Sequence, residues 1–285
     1  MLRHGRGDPT FRREPDGAVW RGIRTPEGTA SLRLVSRPRD GEVLLAAWGA
    51  GAQWAVGAVP GMLGADDDPA GFPAQRDPVV ARLHALHPHW RVPATGLVME
   101  SLVPAVIEQK VTGQEAFAGF RHLVHRFGER APGPGADLRL WVQPAPADLA
   151  RIPSGEWLRL PVSPARSGTV ARAARLAPAL ERTLSLPHPE ADRRLRSVPG
   201  IGVWTSAEVR ARAHGDPDAV SFGDYHVVKD IGWALSGELL DDDAVAELLE
   251  PFRGHRYRVQ RLVELAGVRR PRRGPRMAAR THLPA

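Results

Sequence analysis

From Val19 to Arg24 the chain alternates, Pro26-Glu27-Gly28 supplies turn chemistry, Leu32 and Leu34 continue a period of two, Arg39-Asp40-Gly41 turns again, and Val43 to Trp48 follows. A period of two marks strands with one buried face, so this stretch predicts an antiparallel meander. Between Gly61 and Pro78 the sequence becomes rich in Gly, Asp and Pro, which marks a long connection and a domain boundary. The chain is thus expected to hold a small antiparallel-sheet domain over residues 1–78, a helical domain over 79–268 and a basic, disordered segment over 269–285. The expected fold class is α+β.

After the connection the apolar spacing becomes helical. Leu102, Val103, Val106, Ile107 and Val111 share one helix, with Pro104 in its opening turn, where a missing amide proton costs little. Thr112-Gly113-Gln114-Glu115 has the form of a capping box, and the helix it starts buries Phe117, Phe120, Leu123, Val124 and Phe127 before ending at Gly128. Ser163-Pro164 caps a helix running towards Ala179 that carries Arg166, Arg172 and Arg175. Asp241 to Asp243 put negative charge at the start of another helix, and Gly254 precedes a last one from His255 to Ala266. The histidines of the stretch 84–89, with Pro88 among them, read as a surface turn, since no carboxylate or further ligand lies nearby at metal-site spacing.

Composition narrows the chemistry. In 285 residues, 42% hydrophobic and 25% charged, there is the balance of a globular protein and no apolar run long enough for a bilayer. The stretch 1–15 lacks the apolar core of a secretory signal, so the expected location is the cytoplasm, at the nucleoid. Zero cysteines exclude disulfides, thiolate zinc sites, iron–sulfur clusters and thiol nucleophiles. A formal charge of +7 and a pI near 10.9 favour an anionic partner, nucleic acid first. Part of that excess lies in 269–280, which can hold a phosphate backbone loosely.

The most informative stretch is Leu195-Arg196-Ser197-Val198-Pro199-Gly200-Ile201-Gly202-Val203-Trp204-Thr205, flanked on both sides by helical sequence. A proline and two glycines in so short a space stop one helix, turn the chain tightly and start the next with its amide protons exposed. Amides of Gly200, Gly202 and their neighbours, added to the positive end of the next helix, suit a DNA phosphate held without reading its sequence. Farther on, Phe222-Gly223-Asp224-Tyr225 places an acid after a Gly/Pro-rich loop and before an apolar helical run. Taken alone, Asp224 would be read as a helix cap and Trp204 as a core residue.

The hairpin resembles the helix-hairpin-helix motif of base-excision DNA glycosylases. In that superfamily a helix follows the hairpin, then a Gly/Pro-rich loop, then a catalytic aspartate at the mouth of another helix; Asp224 matches it. Ala105 to Thr112 resembles the family's Ile-x-x-Gln helix end, with Gln109 as the glutamine lining the lesion cleft. By pattern the chain is closest to bacterial DNA-3-methyladenine glycosylase II proteins, which place a small sheet-containing domain before the helical part. The resemblance implies that Trp204, Tyr225 and Gln109 line the base pocket, and that Lys110, Pro199, Gly200, Ile201, Gly202, Val203 and Thr205 meet DNA. It also implies a structural monovalent cation, Na or K, on the backbone carbonyls of Arg196, Val198 and Ile201, with no cofactor required for catalysis.

Relatives that also cut the backbone carry a lysine where this chain has Trp204, so hydrolysis alone is expected. The implied partner is double-stranded DNA carrying a damaged, alkylated base, and the implied unit is a monomer. Two departures bear on the substrate. Lys110 stands where an apolar or amide residue usually fills the gap left by base flipping; by itself it reads equally as a helix-end charge. Glu208 and Glu264 fall where alkyl-purine enzymes have aromatic residues, and on their own they read as exposed helix positions. Two other classes stay open: a DNA-binding lesion sensor without catalysis, and a helical regulator whose hairpin contacts protein.

Overall fold

The structure is a computed structural model that describes residues 3–270. Four strands, β1 (Phe11–Arg13), β2 (Val19–Thr25), β3 (Gly28–Arg37) and β4 (Glu42–Trp48), form an antiparallel sheet in sequence order. The register sets Ile23 against Ala30 and Arg21 against Leu32, so Ile23, Ala30 and Leu32 share a core with Ala55, Val59 and Met62 of α1 (Ala52–Met62). The meander and its turns are where the alternation put them; β1, only three residues long, carried no readable period. The other face of the sheet meets the short pair β5 (Glu129–Arg130) and β6 (Trp141–Val142) through Trp20, Leu140 and Val142. Gly22 is required at this seam: a Cβ there would lie 2.0 Å from the Trp141 carbonyl oxygen.

The helical part begins with α2 (Pro78–Leu86), α3 (Val98–Ile107) and α4 (Gly113–Phe127). Helix α3 starts four residues before the position expected from its pattern, which leaves Pro104 inside the helix and not in its first turn. Its cap comes from far away in sequence: both carboxylate oxygens of Glu181 accept the amides of Val98 and Met99, at 2.9 and 2.8 Å. Burial pushes the Glu181 carboxyl up from its ordinary range, and those two amide bonds oppose the shift. The capping box of α4 is present, Thr112 Oγ1 accepting from Glu115 N and Glu115 Oε2 from Thr112 N.

Short helices α5 (Pro134–Asp137), α6 (Pro146–Leu149) and α7 (Ser154–Arg159) lead to α8 (Pro164–Arg175) and α9 (Ala177–Glu181). Helices α10 (His188–Arg196) and α11 (Val203–Val209) flank the glycine corner, and α11 runs on as a π-helical turn to His214. The last three are α12 (Val227–Ser236), α13 (Asp242–Leu248), capped by Asp241, and α14 (Arg256–Leu265). Two apolar clusters organise these helices. One gathers α3, α4, α8 and the hairpin residues Leu195, Val198 and Ile201; the other gathers Val80, Leu83, Val220, Val228, Ile231, Leu249, Phe252 and Leu262.

The Gly- and Asp-rich connection is fastened to the second cluster. Asp67 accepts Nη2 of the buried Arg258 guanidinium of α14 on both carboxylate oxygens, at 2.7 and 3.0 Å, and the Val92 amide on one of them. No helix among the described residues is long and apolar enough to cross a membrane. The segment read from sequence as disordered lies outside the described residues beyond Arg270.

Candidate active site

The corner between α10 and α11 is held from two sides. Gly200 has φ +97° and packs on α8, where a Cβ would lie 2.1 Å from Thr169 Oγ1. Arg172 of α8 donates from Nε and Nη2 to the Pro199 carbonyl at 3.2 and 3.0 Å. From the end of α3, Gln109 Nε2 donates to the Gly200 carbonyl at 2.9 Å and to Thr205 Oγ1 at 2.7 Å. Its amide group is therefore engaged by the hairpin. Pro199, Gly200, Gly202 and Val203 are exposed along the rim, whereas Ile201 and Thr205 are buried, leaving only their backbone for an outside partner. No side chain caps α11, and a Cβ on Gly202 would meet nothing within 4 Å. The first-turn amides thus face open space at the positive end of a helix.

Asp224 stands across from this corner. Its Oδ1 accepts the amides of His226 and Val227, at 2.7 and 3.0 Å, closing the start of α12. Its Oδ2 accepts Trp204 Nε1 at 3.3 Å, so the carboxylate is bonded to the first turn of the hairpin's second helix. The loop that carries it is fixed at three points. Gly223 N donates to Asp242 Oδ1, Ser221 N donates to Gln260 Oε1, and Ser221 Oγ donates to Glu208 Oε1 at 2.5 Å. Asp224 is half-buried and three N–H groups orient it.

The remaining sequence candidates are placed differently. Tyr225 turns outward, 66% exposed, its ring flanked by Lys229 Nζ at 4.0 Å and the Arg270 guanidinium at 4.8 Å. Lys110 is exposed at φ +54° in the turn after α3. Glu208 is not an exposed helix residue: it is buried and paired at 2.6 Å with Arg212, one turn on, in the π-helical extension of α11. Burial works against the charge on Arg212, yet Glu208 beside it holds the proton more firmly than usual. Glu264 is half-buried, accepting from Gln260 Nε2 at 2.9 Å and pairing with Arg261. The site contacts of Ser221, Gln260, Arg172 and Thr169 went unread in the sequence, since each reaches a partner many residues away and no local spacing marks it. Among the described residues there is no group of three or more His, Asp or Glu that could hold a metal ion, the histidines near residue 84 included.

No protein-family model and no curated protein matches the sequence. Solved structures do. The chain superposes on a 3-methyladenine DNA-glycosylase from Archaeoglobus fulgidus with a TM-score of 0.73 and 17% identity, over 90% of this chain and 88% of that one. It superposes on a Clostridium acetobutylicum 8-oxoguanine glycosylase/lyase, bound to double-stranded DNA, at 0.69 and 13%, over 90% and 87%. The fold is that of the helix-hairpin-helix base-excision glycosylases. A Schizosaccharomyces pombe 3-methyladenine DNA glycosylase in complex with abasic DNA shares 18% identity at a TM-score of 0.52, over 66% of this chain and 90% of that one. The first two superpositions each cover 90% of the chain, and the α+β fold is thus shared over most of its length; within it the Trp204 indole of the hairpin's second helix meets Asp224.

Proposed function

We propose that this protein is a monofunctional DNA glycosylase, acting as a monomer on double-stranded DNA, that hydrolyses the bond between deoxyribose and a damaged, alkylated base flipped out of the duplex. The observation that carries this reading is the Trp204–Asp224 hydrogen bond, which ties a fixed carboxylate to a glycine corner with free helix amides. As the glycosidic bond stretches, positive charge grows on the sugar. A carboxylate already oriented by three N–H groups stabilises that charge without reorganising, and its remaining lone pairs orient the attacking water. The corner holds a backbone phosphate so that the sugar stays within reach.

A monovalent cation at the corner fits the residues present. The Pro199 and Gly200 carbonyls are engaged by Arg172 and Gln109, while the Val198 carbonyl closes the turn to Ile201 N at 3.0 Å and keeps its second lone pair. With the carbonyls of Arg196 and Ile201 it would hold Na or K, whose contribution is phosphate neutralisation alone. Trp204 supports hydrolysis without strand cleavage, because an indole forms no Schiff base, and Lys110 and Lys229 are the only lysines in the chain.

The test uses duplexes carrying methylated purines, hypoxanthine, 8-oxoguanine or uracil, heated in alkali to reveal abasic sites. Asp224→Asn should bind duplex as the parent does and lose at least about 100-fold in base release. Borohydride should trap no protein–DNA adduct. Base release that survives in Asp224→Asn would overturn the reading; duplex binding with no release from any substrate would favour a lesion sensor.

A further inference from the structure

A cavity of about 770 Å³ lies where the sheet meets the helices, bounded by β2, the start of α3, the stretch 143–150 and the junction of α8 with α9. Asp224, Trp204, Gln109 and Gly200 are not among its walls. Leu97, Met99 and Glu100 line it at the start of α3, whereas Gln109 meets the hairpin beyond the other end of that helix, about 15 Å along.

Three side chains of the cavity wall carry polar atoms that the protein leaves unpaired. Arg21 of β2, 5% exposed, pairs through Nη2 with Glu100 Oε1, which leaves its Nε and Nη1 and the second Glu100 oxygen without partners. Gln143, also buried, donates from Nε2 to the Met99 carbonyl at 3.0 Å, while its Oε1 accepts nothing. Burial pushes the Glu100 carboxyl up from its ordinary range and Arg21 beside it opposes the shift, so an N–H on the free oxygen would oppose it further. Donors and acceptors are seldom buried unpaired, and both kinds around one space call for a partner inside it. Water would serve these atoms alone. The rest of the wall includes Phe120, Pro144, Ala147 and Ala174, and the volume falls in the range of about 300–1,000 Å³ typical of small-molecule sites with apolar walls and a few polar groups.

We propose that this cavity binds an uncharged, flat heterocycle, a nucleobase or nucleoside, that sets an acceptor on Arg21 and N–H donors on Glu100 and Gln143. The inference does not depend on the glycosylase reading of Asp224. Charge on the wall favours a neutral ligand, since a cation would meet Arg24, Arg175 and Arg212 and an anion would meet Glu100 and Glu181. The edge of a base carries donor and acceptor side by side, as the paired Arg21 and Glu100 do.

The experiment titrates the full chain by calorimetry with hypoxanthine, adenine, inosine and adenosine, and with benzoate and benzamidine as charged controls. At least one heterocycle should bind one to one, and more tightly than either control. Preference for the free bases would mark a site for released base, preference for the nucleosides a site for the soluble pool. Gln143→Leu removes one buried acceptor and should weaken that binding about tenfold. Ala147 is exposed at the wall, so Ala147→Trp narrows the cavity without touching the core; it should weaken binding at least as much, and it decides the matter if Gln143→Leu does not fold. Duplex affinity should be unchanged in both. No binding of any heterocycle at millimolar concentration, tighter binding of a charged control, or full affinity retained in Ala147→Trp would overturn the proposal.

Discussion

The Trp204 indole contributes both a flat face and an N–H, and only the second touches Asp224. Trp204→Phe keeps the ring and removes the donor, so the excision rate at saturating protein should fall about tenfold, the effect of one long hydrogen bond to a charged group, while duplex affinity stays the same. An unchanged rate would mean that Oδ2 needs no anchor. The glycine corner and the helix-cap position of Asp224 were legible because each lies in a short motif whose spacing is local; the bond between Asp224 and Trp204 was not. The burial of Glu208 was not legible, because Ser221, which donates to its carboxylate, lies in a loop beyond the π-helical turn. Nothing in the residues around position 208 signals that loop. Gln109 was read from the sequence as lining the base pocket; its engagement with Gly200 and Thr205 depends on how α3 meets the hairpin and was not visible there.

Elements show the same division between local and distant causes. The box at Thr112 could be read from four residues, whereas the true start of α3 depends on Glu181, and no window of sequence around Val98 contains it. A pH effect belongs at this scale, where the π-helical turn after α11 meets α10. Burial, and then the nearby His188 charge, push His214 down to about 4, while the Asp216 hydrogen bond holds His188 above its ordinary value. For His214 the unfolded chain binds the extra proton between pH 6.5 and 4, so its contribution to stability falls as the pH drops through that window. His188 acts in the opposite sense: its stabilisation is full below about 6.5 and is lost as the pH rises through its folded value. Denaturant unfolding of His214→Gln should therefore lose about 2 kcal/mol less than the parent between pH 7 and pH 5. Parallel losses in the two proteins would place the titration elsewhere.

For the whole molecule, the alternation in the first fifty residues and the helical spacing later on gave an α+β protein, and this is the fold found. How the sheet is fastened to the helices was not visible, since Gly22 reads in sequence only as a weak strand residue. In the structure it lets β2 touch the Trp141 carbonyl, and Trp20 closes the same seam by stacking on Trp48 at 5.4 Å. Gly22→Ala must push the sheet off β6, and a loss of about 3 kcal/mol or more by denaturant unfolding is expected. A loss under about 1 kcal/mol would mean that the seam yields easily.

In the proposed reading Asp224 serves folding as well as chemistry, because the oxygen that starts α12 belongs to the same carboxyl group that faces the hairpin. An asparagine at this position would still cap the helix start, whereas an alanine would lose the cap at a cost of about 1 kcal/mol. On that reading, descendants that abandon the reaction yet keep the architecture should drift to asparagine first, retaining the fold without the chemistry.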